Sequence, residues 1–195
     1  MNDSLKSLHI RHHSSLVLLL IDVINDMTFP GSEALVEQAL PMARRLQALK
    51  SRLKAAGVPC VYCNDNFGSW RSDFRALVAH CLTDDVPGRP VAELLRPDED
   101  DYFVLKPRHS AFYATPLDLL LRDLGADVVI LTGIAANICV LFSANDAYMR
   151  GYRVVVPADC VASNTSADSS TALKQIQTVL KADISESTQL AIEAS

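Results

Sequence analysis

The sequence has no apolar run long enough to cross a membrane. Its first long stretch, Leu16 to Ile21, stops at Asp22, whereas a spanning helix needs about twenty consecutive apolar residues. No charged segment with a small-residue cleavage site precedes it, so a secretory signal is not expected. A basic stripe is missing too. Lys and Arg number 18 against 23 Asp and Glu, for a net charge of −5. Scattered cations on an acidic chain cannot displace phosphate counterions, so nucleic acid is not an expected partner.

Histidine is sparse and badly placed for metal. Of five, His9, His12 and His13 fall near the N-terminus, while His80 and His109 are isolated. No set has zinc spacing; neither a metal nor a cofactor is expected. The five cysteines are an odd number and fit no disulfide framework. Reduced thiols in a cytoplasmic protein follow as the expectation. Cys60-Val61-Tyr62-Cys63 has CxxC spacing, yet it lies in a predicted strand, where positions three apart face opposite sides. A redox CxxC instead opens a helix. Cys81 and Cys160 are expected to be structural thiols.

A chain of 195 residues suits one domain, 1–195, with a single sizeable core. The polar segment 1–15 is expected to lie against the surface or a partner subunit. LVLLLID (Leu16 to Asp22) is continuously apolar, the pattern of a strand buried on both faces. A helical pattern runs from Ser32 to Ala56, with Pro41 inside it as a kink or a division. VPCVYCN is a second strand, and a short helix is predicted over Asp73 to Cys81. Asp101 to Lys106 forms a third strand. Thr115 caps the helix that starts at Pro116 and ends before Gly125.

ADVVILTG is a fourth strand, Asn137 to Arg150 a helix, and YRVVVPAD a fifth strand. Ser166 to Leu180 is a further helix, and ADIS (182–185) a sixth short strand. Strands alternating with helices predict an α/β fold: a doubly wound, mainly parallel sheet of about six strands with helices on both faces. Such sheets bind ligands beyond the carboxyl ends of their strands, at a topological switch point.

Three residues fall at such ends. Asp22 closes the first strand, Lys106 the third, and Cys139 follows the turn after the fourth. Taken singly, each has a structural explanation: a core thiol, a turn-forming aspartate, a solvated lysine. Together they form a nucleophile, a base and an orienting cation. A lysine cation and a helix N-terminus are both expected to lower the pKa of a thiol from its ordinary ~8.5.

The segments LLLIDVINDMTFPG, VLKPRHSAF and LTGIAANICV resemble the cysteine hydrolases of the isochorismatase-like superfamily, over roughly Leu16 to Asp159. Nicotinamidases, N-carbamoylsarcosine amidohydrolases and ureidoacrylate amidohydrolases belong to that group. The resemblance implies a catalytic triad of Asp22, Lys106 and Cys139. It further implies a non-proline cis peptide between Ile134 and Ala135, and an oxyanion hole made by the backbone N–H groups of Ala135 and Cys139. The expected chemistry is cleavage of a small amide, carbamoyl or ureido substrate through a thioester. Phe29, Phe67 and Trp70 are candidate walls of the substrate pocket. Arg71 and Arg108 are candidate carboxylate ligands.

The chain departs from the nicotinamidase pattern D-x-Q-x-D-F, having Ile24 in place of Gln and Met27 in place of the aromatic. Ala136 replaces a threonine before the cysteine. No histidine accompanies Asn64, Asp65 and Asn66 where nicotinamidases hold a metal. Two other readings stay open on sequence: an isochorismatase-type vinyl-ether hydrolase, which lacks the nucleophilic cysteine, and a non-catalytic interaction module. A homo-oligomer, dimer or tetramer, is the expected assembly.

Overall fold

The computed structural model describes residues 15–66 and 73–191. The polar segment ahead of Ser15, with His9, His12 and His13, lies outside them. Six strands are present: β1 (Leu16–Ile21), β2 (Cys60–Asp65), β3 (Tyr102–Lys106), β4 (Val128–Ile134), β5 (Arg153–Val155) and β6 (Val161–Ala162). All pair in parallel in the order β3-β2-β1-β4-β5, with β6 added to the far end of β4. Chain order runs outward from β1 in one direction and from β4 in the other. The switch point therefore lies between the carboxyl ends of β1 and β4.

Helices cover both faces. The side chains of Val17, Leu19 and Ile21 point into one core layer, with Leu117 and Leu121 of α4 (Leu117–Asp123), Ala144 and Ala147 of α5 (Leu141–Met149), and Ile176 of α6 (Ser166–Leu180). Leu18 and Leu20 point into the other layer. There they meet α1 (Ser32–Ala55), α2 (Phe74–Thr83) and α3 (Arg89–Leu94). Each fully buried Leu contributes about 1.5–3 kcal/mol relative to exposure, which explains why the central strand is continuously apolar.

Four sequence expectations change. Pro41 neither splits nor ends α1, which is continuous over its full length. Pro41 and Glu37 both lie on the exposed side, so the carbonyl deprived of its partner can be hydrated. The sixth strand is Val161–Ala162 and not ADIS, whose Asp183 makes a single parallel bridge to Val155. Strand β5 stops at Val155, and Ala158–Cys160 forms a 3-10 turn. The predicted helix from Asn137 begins as a π-helical turn over Ala136–Val140 and becomes α-helical only at Leu141. Helix α3, opened by Gly88-Arg89-Pro90, was hidden in the irregular stretch before β3 because six residues show no periodicity.

Opposite the carboxyl edge, Lys50 of α1 is buried against Asp101 at 2.6 Å, Asp98 at 3.0 Å and the Tyr62 hydroxyl at 3.0 Å. Lys54 joins the same carboxylates from the next helical turn. This network ties α1 to the start of β3.

Candidate active site

Asp22 directly follows β1 and adopts a left-handed backbone with φ 53, a conformation that costs a non-glycine residue about 1–3 kcal/mol. It turns the carboxylate across the sheet edge. One oxygen accepts the Asp65 N–H at 2.7 Å; the other meets Lys106 Nζ at 2.8 Å. Lys106 ends β3, two strands from β1. Neighbouring strands are about 4.8 Å apart, so only a long side chain can bridge that span. Its ammonium also lies 3.5 Å from Cys139 Sγ and 3.5 Å from Asp65, and donates to the Arg108 carbonyl at 3.3 Å. Lys106 is fully buried and Asp22 nearly so.

Cys139 is held in the π turn that follows β4. The Ile134–Ala135 peptide is cis. The Ala135 carbonyl accepts from Ile138 and Val140, both at 3.1 Å, passing over Cys139 between them. Outside the turn itself, neither the Ala135 nor the Cys139 N–H meets a backbone acceptor among the described residues. Ser143 accepts the Ala111 N–H at 2.9 Å and donates to the Cys139 carbonyl at 2.7 Å, fastening the turn to the loop after β3.

The electrostatics differ from the sequence expectation. Burial pushes the Cys139 thiol up to about 12, the Asp22 charge adds to the rise, and the Lys106 cation offsets only part of it. The thiol is therefore not lowered, because desolvation of the sulfur outweighs the lysine. Burial also raises Asp22 above the ordinary carboxylate range, against the pull of Lys106 and a hydrogen bond with Cys139. For Lys106, burial favours loss of the proton, yet Asp22 and Cys139 outweigh it and keep the ammonium charged.

The site opens into a cavity of about 300 Å³, at the small end of ligand pockets. Phe29, Leu35, Ile134 and Ile138 supply apolar wall; Asn25, Asp65, His109 and Asn164 supply polar groups beside Asp22 and Cys139. Sequence reading places Phe29 here, while Phe67, Trp70 and Arg71 lie outside the described residues. The Arg108 guanidinium folds onto the Pro107 carbonyl at 2.9 Å and is not in the cavity wall. His109, isolated in sequence, was missed, as were Asn25, Ile138 and Asn164. For Asp65, the signal was its place at the end of a strand.

Among the described residues, the acidic or metal-ligating side chains close enough to share an ion are Asp98, Asp100 and Asp101. They lie at the opposite end of the sheet and are already paired with Lys50 and Lys54. No described helix is long and apolar enough to cross a membrane.

Residues 16–188 match the isochorismatase domain. The isochorismatase family protein YaaI of Bacillus subtilis (strain 168) is 39% identical over 173 residues, spanning 89% of this chain and 94% of its own. Maleamate amidohydrolase of Pseudomonas putida is 29% identical over 155 residues, 74% of this chain and 70% of its own. The crystal structure of N-carbamoylsarcosine amidase from Thermoplasma acidophilum superposes with a TM-score of 0.71 at 27% identity. That match covers 92% of this chain and all of the other.

Proposed function

Because the chain belongs to the isochorismatase family, we propose that it is a cysteine amidohydrolase, cleaving the C–N bond of a small amide, carbamoyl or ureido compound. The observation that carries the reading is one ammonium, Lys106, held 2.8 Å from Asp22 and 3.5 Å from Cys139 at the mouth of a small cavity. Both maleamate amidohydrolase and N-carbamoylsarcosine amidase, by their names, act on amide or carbamoyl nitrogen. A vinyl-ether hydrolase needs no thiol beside the lysine, and an interaction module needs none of the three.

The resting thiol is protonated. As Sγ attacks the substrate carbonyl carbon, its proton passes to the Asp22 carboxylate. Burial has raised the basicity of that carboxylate toward the task. The carbonyl electron pair moves onto oxygen, and the N–H groups of Ala135 and Cys139 stabilise the resulting oxyanion. When the intermediate collapses, the C–N bond breaks and Asp22 returns its proton to the leaving nitrogen. Ammonia or an amine departs and a thioester remains on Cys139. Asp22 then deprotonates a water that attacks the thioester, releasing the acid and restoring the thiol. Lys106 remains charged throughout and holds Asp22 in place.

The test is ammonia release across a panel of primary amides and ureido acids. Cys139→Ala should abolish turnover while leaving the unfolding transition in place. Acid quench of the wild type during turnover should trap an acyl mass on the peptide containing Cys139. Full activity in the alanine variant would sink the assignment.

A further inference from the structure

We infer that Asn25 is a substrate-binding residue. Its side-chain NH2 donates to a second hydrogen-bond acceptor on the substrate, remote from the scissile carbonyl. The inference rests on the amidohydrolase reading above and adds a requirement to the substrate: an amide bearing a further carbonyl, carboxyl or comparable acceptor.

Asn25 is only 8% exposed, yet it lines the catalytic cavity. Its Oδ1 accepts the Met27 N–H at 2.8 Å. A backbone N–H can only donate, so the chemistry fixes which end of the amide faces it. Nδ2 is thereby turned the other way, and it meets no acceptor among the described residues. Nδ2 keeps accessible surface on the cavity side, and a substrate acceptor there would replace solvent with one hydrogen bond worth about 0.5–1.5 kcal/mol.

The backbone around Asn25 is braced from three sides. Asn64 Nδ2 donates to the Ile24 carbonyl at 2.7 Å. The Gly88 N–H donates to the Asp26 carbonyl at 2.9 Å. Gly88 itself lies so close that a Cβ there would meet the Asn25 carbonyl oxygen at 1.8 Å. The third brace is His80 of α2, whose Nε2 is 3.1 Å from the Asp26 carboxylate. A donor held this firmly is pre-organised, so it loses little freedom when a ligand arrives. On the same wall, the exposed Asn164 commits one of its two Nδ2 hydrogens to the Gly31 carbonyl at 3.1 Å, whereas the buried Asn25 commits neither.

Two isosteric probes isolate the contact: succinamide, which carries a second carbonyl, and 4-methylpentanamide, in which an isopropyl group replaces it. The wild type should favour succinamide by about tenfold or more in kcat/KM, the scale of one hydrogen bond to a buried donor. Asn25→Asp retains an acceptor for the Met27 N–H and loses the NH2. It should reduce the ratio to near one, chiefly through the KM for succinamide. Asn25→Ser, whose hydroxyl can also accept from a backbone N–H two residues on, gives a second reading should the first variant fold poorly. A ratio unchanged in the folded variants overturns the role of Asn25. So does a wild type that hydrolyses panel amides without preferring succinamide; the amidohydrolase reading then stands. No amide turned over and no acyl adduct on Cys139 would overturn both.

Discussion

Gly133 passes Ile21 so closely that a Cβ built on it would fall 2.1 Å from the Ile21 carbonyl oxygen. Its φ of 105 is also one that side chains rarely adopt. These two residues are in register at the ends of β4 and β1. Their contact brings the turn carrying Cys139 within reach of Asp22.

Gly133→Ala should therefore cost about 2–5 kcal/mol, combining backbone strain with overpacking against a main chain that cannot rotate away. A urea unfolding midpoint measures the stability loss. Turnover should fall further than stability alone accounts for, because relief of the clash moves β4 away from Asp22.

Asp22→Asn should reduce turnover by about a thousandfold or more, as removal of the general base leaves the thiol proton without an acceptor. The same change should lower the Cys139 pKa from its elevated value of about 12, since it deletes a negative charge and leaves the Lys106 cation. The pH dependence of iodoacetamide alkylation reads this directly; Cys60, Cys63, Cys81 and Cys160 are buried. An alkylation profile moving to higher pH would contradict the charge arrangement.

His80 gives stability a pH dependence. Its ring nitrogens meet Asp26 at 3.1 Å and Asp84 at 2.6 Å, and hydrogen bonds to Asp26 and Asp84 raise its pKa above 6.5. The protonated form is thus favoured by folding. Its contribution is complete below pH 6.5 and disappears as pH rises through the elevated value. His80→Gln should remove this component, at most about 1 kcal/mol because the ring is largely exposed and screened. Urea titrations below and well above pH 6.5 should show wild type and variant converging at the higher pH.

The run LVLLLID was legible in sequence because a central parallel strand is buried on both faces, which imposes a continuous apolar pattern ended by a polar residue. Asp22, Lys106 and Cys139 were legible for a related reason. Asp22 and Lys106 each end an apolar strand and Cys139 follows the turn after another, and a doubly wound sheet gathers such strand ends along one edge. The long helical patterns of α1 and α6 likewise survived, since burial of one face repeats at a helical period over many residues.

The tertiary structure decided what has no period. β6 is two residues long, and its pairing depends on where β4 ends. Pro41 is tolerated because it falls on the exposed side of α1, a fact of packing. Asn25, His109 and Asn164 come from three separate connections and Asp65 from the end of β2, and only the closed sheet edge sets them around one cavity. The direction of the Cys139 shift was likewise beyond the sequence. Lysine and helix terminus are visible in the letters, but the desolvation that outweighs them exists only once the sulfur is enclosed.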